Sequence, residues 1–400
     1  MYNKYTYGLG TTRSCIRELF EYGMKQAAVV GRENVFDFSI GNPSIPSPAK
    51  VNESIIDIVK NEDSLAVHGY TSAPGWDGVR KAVAEDLTAR MGMEIKPSNL
   101  YFTCGAAPAL VTVFRALNLG PQTEILAVAP FFPEYRPFIE GTGNVFKFVP
   151  ADTKNFQIDL KTLESMISPD TQAVIINSPN NPSGVVFSRE TLQELAGILE
   201  KKSAQYGHPV YLISDEPYRE LVYGGVKVTW VPSVYKDAIV CYSYSKSLSL
   251  PGERLGYICI PDQVTDAKEL FAACAGAARI LGSVCAPSLM QRTVARCAAE
   301  RPDLRAYDEN RTILYNGLRK IGYECAKPDG AFYLFVKAPG GDAKAFSEKA
   351  KAKNLLIVPS DDFGVPGYFR LSYCVAKSTI ETFSAGVRGD IRIIKTPPPA

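Results

Sequence analysis

A chain of 400 residues, 46% hydrophobic and 22% charged, can bury large cores without disulfide or metal staples, and its length suggests two or three structural units. Lys and Arg number 44 against 42 for Asp and Glu, a net charge of +2; general nucleic-acid or membrane-surface binding, which needs a basic excess, is disfavoured. Nine cysteines lie singly in apolar stretches with no CxxC pair and only His68 and His208 for company, so reduced, buried thiols are expected and a zinc site is not.

The opening Met1-Tyr-Asn-Lys-Tyr-Thr-Tyr7 lacks the apolar core of a secretion signal. Apolar runs such as Ile125 to Phe132 are too short to span a bilayer. A soluble, cytoplasmic protein is expected. After a Pro-rich turn at Gly41 to Pro48, short β-branched and apolar runs read as buried strands: Leu100 to Cys104, Ile125 to Ala129, Val145 to Val149, Ala173 to Asn177, Val210 to Ser214, Ile239 to Ser243 and Gly256 to Ile260. Amphipathic stretches separate several of them; in Ser188 to Gln205, the residues Leu192, Leu195, Ala196 and Leu199 recur at helical spacing. This alternation predicts an α/β fold, a mainly parallel sheet with helices on both faces, whose ligands gather beyond the carboxyl ends of the strands. A long helical stretch, Ala286 to Leu318, then leads into strands at Ala331 to Val336 and Tyr368 to Tyr373. The expected division is a large domain over 50–287 and a smaller α+β domain from 1–49 with 288–400. The tail Thr396 to Ala400 reads as disordered.

The most informative stretch is Tyr242-Ser-Tyr-Ser-Lys-Ser-Leu-Ser-Leu-Pro-Gly-Glu-Arg-Leu-Gly-Tyr257. Lys246, flanked by small hydroxyls at a strand end, can serve as a Schiff-base nucleophile. The hydroxyls and Arg254, across the Pro251-Gly252 turn, can hold a phosphate. Taken alone, the same residues also describe a solvated Ser-rich loop.

The Ser-x-Ser-Lys run followed by Gly-x-Arg-x-Gly resembles the pyridoxal-phosphate attachment signature of the class I/II aminotransferases, which have the fold type I architecture. The resemblance implies that Lys246 carries the cofactor as a Schiff base and that Ser243 and Arg254 bind its phosphate. Other motifs follow the family's order. Ser214-Asp-Glu-Pro-Tyr218 looks like its Asp-x-x-Tyr, which assigns Asp215 to the pyridine nitrogen and Tyr218 to the ring's 3-oxygen. Asn177-Ser-Pro-Asn-Asn-Pro-Ser-Gly184 is similar to its Asn-Pro-x-Asn-Pro-x-Gly, although Ser178 interrupts the first Asn-Pro; Asn181 is the match, at the 3-oxygen and beside the substrate. Thr103-Cys-Gly-Ala-Ala-Pro-Ala109 matches the phosphate loop through Gly105, Ala106 and Ala107. In Pro130-Phe-Phe-Pro-Glu-Tyr135 the ring-stacking aromatic is Phe132, with Phe131 as fallback. Tyr70 matches a tyrosine that reaches the partner subunit's cofactor phosphate, so a homodimer is implied. Tyr368-Phe-Arg-Leu-Ser372 matches the strand whose arginine grips the substrate α-carboxylate, here Arg370, with Gly41 lining the same pocket. Lys327-Pro-Asp-Gly-Ala-Phe-Tyr333 follows a late Pro-x-Gly-Ala pattern. The resemblance runs from about residue 38 to residue 373.

The implied reaction is transamination between an L-amino acid and a 2-oxo acid, with ping-pong kinetics. A carbon–sulfur β-lyase on the same fold is the alternative, and a cofactor-sensing regulator a remote one. Substrate choice stays open. One aspartate-selective subgroup has a lysine where this chain has Ala107, and Arg13, Arg279 and Arg292 are other conceivable sources of a side-chain-recognising cation.

Overall fold

The computed structural model describes residues 1–12 and 15–388. Arg13 and the tail Thr396 to Ala400 therefore lie outside the described residues. Twelve strands occur among the described residues: β1 (Phe36–Asp37), β2 (Leu100–Thr103), β3 (Glu124–Val128), β4 (Val145–Val149), β5 (Thr171–Asn177), β6 (Tyr211–Asp215), β7 (Ala238–Ser243), β8 (Gly256–Cys259), β9 (Tyr333–Lys337), β10 (Leu355–Leu356), β11 (Val358–Pro359) and β12 (Tyr368–Ser372). Strands β2 to β8 form one seven-stranded sheet in the order β2-β8-β7-β6-β5-β3-β4. Only β8 runs antiparallel to its neighbours; the other pairs are parallel.

Successive side chains of a strand point to opposite faces, and here the two faces feed separate cores. Ile125, Ala127, Ile175, Ile213 and Ile239 enter one; their neighbours Leu126, Val174, Ile176 and Leu212 enter another. Burial on both faces is why these strands read as unbroken apolar runs rather than alternating ones. The helix Arg189–Tyr206 covers the second face with Leu192, Leu195, Ala196 and Leu199, as its spacing predicts. Ser188 caps it by accepting a bond from the Thr191 N–H, and Gly207 ends it in the left-handed conformation.

The two ends of the chain meet in a second body. Strand β1 pairs with β10 in parallel, and β11-β12-β9 form an antiparallel sheet. Their core joins Phe38 to Leu334, Val336, Phe369, Leu371 and Ile380. The helix Cys15–Val30 lays Leu19 against Leu356, Val358 and Phe363.

Two expectations need correction. The stretch Ala286 to Leu318 is not one helix but two, Ser288–Cys297 and Arg305–Lys320. Pro302 lies in the gap between them; it has no N–H to donate and biases Arg301 away from helical angles. The strand expected from Ala331 begins only at Tyr333, because Ala331 sits at φ 54. No helix among the described residues is long and apolar enough to cross a membrane.

Candidate active site

Asn177, Asp215 and Ser243 end the parallel strands β5, β6 and β7. They open into one cavity of ≈ 310 Å³, which the second body closes with Arg370, Tyr333 and Gly41. Lys246 projects into it from the short helix Tyr244–Ser247, which Ser243 caps by accepting from the Ser245 N–H. The Lys246 Nζ donates to the carbonyl of Gly41 at 2.7 Å and sits 5.5 Å from the Phe332 ring centre. Burial disfavours its charged form and brings its pKa down to about 8. A usable fraction of neutral, nucleophilic amine therefore exists in mildly alkaline solution.

Asp215 is buried, and desolvation raises its pKa to about 7 although Tyr135 opposes the shift. The Tyr135 hydroxyl donates to Oδ2 at 2.5 Å. The other oxygen, Oδ1, has no hydrogen-bond partner among the described residues. A buried carboxylate oxygen left unpaired is costly, and Asp215 lines the cavity. A cationic N–H donor placed there would satisfy that oxygen and pull the pKa back down.

A hydrogen-bonded chain links this strand end to the second body. Asn177 Nδ2 donates to the Asp215 carbonyl at 2.8 Å, and Asn177 Oδ1 accepts from the Asn181 N–H at 2.8 Å. Asn181 Oδ1 accepts from Arg370 Nη1 at 3.0 Å, and Arg370 Nη2 donates to the Ser39 carbonyl. Arg370 is 2% exposed, its guanidinium lies 4.5 Å from the Tyr333 ring centre, and its Nε has no partner among the described residues. Tyr218 and Tyr333 share a hydroxyl–hydroxyl bond of 2.9 Å, and burial holds the Tyr218 hydroxyl far above its ordinary pKa.

Gly105 caps the helix Ala106–Ala116 at φ 96. A Cβ there would stand 2.7 Å from Arg254 Nη2; glycine alone leaves this approach open. The first-turn N–H groups of Ala106 and Ala107 have no partner within the helix, and its dipole favours an anion. Arg254 Nη2 donates to the Cys104 carbonyl at 3.0 Å and Nη1 to the Pro251 carbonyl at 2.8 Å. Ser243 Oγ meets Ser245 Oγ at 2.8 Å. Together these form a cradle for a phosphate-like group.

Eleven of the thirteen residues singled out in the sequence line the cavity: Gly41, Ala106, Ala107, Phe132, Asn181, Asp215, Tyr218, Ser243, Lys246, Arg254 and Arg370. Gly105 stands just behind, against Arg254. Tyr70 does not join them; it is 99% exposed. The fallback Phe131 is excluded, because it is buried edge-on against Phe146 and Phe148. Sequence reasoning missed Tyr135, Asn177 and Tyr333, which lie inside quoted motifs but carried no role there. It also missed Ser245, within the lysine motif, and Ile16, Leu110 and Phe138, for which no local signal exists. Of the conceivable extra cations, Arg292 is occupied by Glu62 at 2.7 Å, and Arg279 is exposed on the helix Ala267–Ile280. The nine cysteines are unpaired thiols, but only five are buried.

The arrangement combines an amine nucleophile, an acid facing the cavity, an anion cradle and a buried guanidinium. Against known proteins, the family model for aminotransferase class I and II matches residues 33–386. An aspartate aminotransferase of Thermotoga maritima is 29% identical over 90% of this chain and 93% of its own length. An aromatic-amino-acid aminotransferase of Thermococcus litoralis is 28% identical over 92% of each. Among solved structures, an amino transferase from Eubacterium rectale superposes with a TM-score of 0.96 at 53% identity, covering 99% of this chain and 98% of that one.

Proposed function

The chain belongs to aminotransferase class I and II, an enzyme that moves an amino group between an amino acid and a 2-oxo acid, and from that premise we propose how its residues divide the work. The observation that carries the reading is the pairing, in one cavity, of a half-buried amine of lowered pKa with a buried carboxylate oxygen that lacks a partner among the described residues. The donor set fits pyridoxal phosphate: Asp215 Oδ1 would accept from a protonated pyridine nitrogen, and Gly105, Ala106, Ala107, Ser243 and Arg254 would hold the phosphate. Tyr218 and Asn181 would face the 3-oxygen and Phe132 the ring. The bound cofactor supplies a carbonyl that captures an amine and a ring that accepts the electrons of the broken α-C–H bond. Arg370, with Asn181 and Gly41 beside it, fixes the substrate carboxylate by two parallel bonds. Lys246 would hold the cofactor, and once released its Nζ would take up the substrate's α-proton as general base and give it back as general acid. Because both substrates use one cavity in turn, ping-pong kinetics follow.

The lyase alternative is not favoured, since the relatives are named as aminotransferases. A homodimer in which Tyr70 reaches the partner's phosphate site belongs to the same proposal; the exposure of Tyr70 and Leu65 supports it. A two-domain division, residues 50–287 against 1–49 and 288–400, belongs to the proposal too. Val294 and Cys297 share a core with Phe102 and Val240, which favours extending the larger part to the turn at Pro302. A cytoplasmic location, suggested by nine free thiols, completes it.

The deciding experiment is a single-turnover absorbance scan of cofactor-loaded protein with a panel of amino acids and then 2-oxo acids. Loss of the visible band with an amino acid, and its return only on adding an oxo acid, is the expected result. Spontaneous return with release of pyruvate and ammonia from cysteine or cystathionine would make it a lyase instead.

A further inference from the structure

We propose that the preferred amine donor has an uncharged hydrocarbon side chain, received by a wall of Ile16, Leu110 and Phe138; this rests on the aminotransferase reading above. Among the described residues, the cations lining the cavity are Lys246, Arg254 and Arg370. Each already has a position: Lys246 against the Gly41 carbonyl, Arg254 at the anion cradle, and Arg370 between Asn181 and the Ser39 carbonyl. A donor with one carboxylate uses Arg370. A second carboxylate on its side chain would find no further cation on this lining.

What it would find is hydrocarbon. Ile16 comes from the first turn of the helix Cys15–Val30 on the second body, while Leu110 and Phe138 come from the helices Ala106–Ala116 and Tyr135–Gly141 of the large sheet. Leu110 is buried, and Ile16 and Phe138 are half-buried. The apolar wall is thus assembled from three separate elements facing one cavity. A carboxylate pressed against it would lose hydration without gaining a partner, whereas an apolar side chain gains by leaving water. Of the three candidate arginines, Arg13 lies outside the described residues; Arg292 is ion-paired to Glu62 and donates to the Ala66 carbonyl at 2.8 Å, its guanidinium 4.6 Å from the Trp76 ring centre, and Arg279 is exposed.

The test measures kcat/KM of the cofactor-loaded enzyme in half-reactions with phenylalanine, leucine, alanine and aspartate, for the wild type, Phe138→Ala and Ile16→Arg. Phenylalanine or leucine should exceed aspartate by about 10-fold or more, the discrimination a hydrophobic pocket commonly provides. Phe138→Ala should lower phenylalanine and leucine more than alanine, and Ile16→Arg should raise aspartate relative to leucine. Aspartate equal to or better than the apolar donors in the wild type would overturn the inference while leaving the aminotransferase reading intact. So would variants that change all donors by one factor. Transfer from no donor would instead remove the reading on which the inference stands.

Discussion

The proposed chemistry turns on two titrating side chains whose ordinary pKa values burial has moved toward neutrality. Lys246 titrates at about 8 rather than at 10.5. Its neutral, attacking form grows as pH rises through that value, so the rate of covalent cofactor capture by apoprotein should climb with a midpoint near pH 8 and then level off. Stopped-flow absorbance reads this directly. Asp215, raised from 3.8 to about 7, binds its proton more tightly folded than unfolded. Its contribution to apoprotein stability is therefore greatest below about pH 4 and is lost as pH rises through 7. Denaturant midpoints across that window should fall less steeply in Asp215→Asn. Tyr135 is the tuning partner: the bond it donates favours the carboxylate form. Charge-assisted bonds contribute roughly 1.5–3 kcal/mol, so Tyr135→Phe should weaken cofactor binding about 10-fold or more, measured by equilibrium dialysis. Unchanged affinity would show that the bond does not bear on the acid.

Two short elements hold these groups in place. The turn from β2 into the helix Ala106–Ala116 depends on Gly105, whose φ of 96 would strain any residue with a side chain and whose Cβ would push Arg254 aside. Gly105→Ala should cost about 1–3 kcal/mol in backbone strain and loosen the cofactor phosphate; a thermal melt and a cofactor titration check the two effects separately. Behind Asp215, the turn after β6 is clamped by Arg219, which donates to Glu216 Oε2 at 3.0 Å and to the Tyr257 hydroxyl at 2.8 Å. It lies 3.3 Å from Glu220 and 4.2 Å from the Tyr242 ring centre. Removing one partner from a buried ion cluster leaves the remaining charges unsatisfied, so Arg219→Ala should destabilise the fold by about 3–5 kcal/mol, read from urea unfolding. These elements explain an asymmetry in what local sequence reveals. The Gly-Ala-Ala turn and the Asp-x-x-Tyr could be read from their resemblance to the family's motifs. The clamp could not, because Glu216 and Arg219 look like ordinary surface charges until the fold buries them.

For the molecule as a whole, the open question is assembly. If Tyr70 serves the partner's site, Tyr70→Ala and Lys246→Ala chains should each be inactive or weak alone, yet regain activity when unfolded together and refolded. A mixed pair would contain one site with both residues intact. No gain on mixing would place the function of Tyr70 within its own chain or nowhere near the site. The sequence by itself determined the α/β alternation and the strand ends, and its resemblance to the family's motifs singled out eleven residues that line the cavity, because groups on tight turns at strand ends leave short, ordered motifs. Only the tertiary structure decided that Phe132 and not Phe131 faces the cavity, since Phe131 packs edge-on against Phe146 and Phe148 instead. It alone broke the stretch after Ala286 into two helices and brought Tyr135 to Asp215. The apolar wall of Ile16, Leu110 and Phe138 was likewise invisible beforehand: its members lie far apart in the chain, and contact across such distances is set by packing rather than by any local pattern.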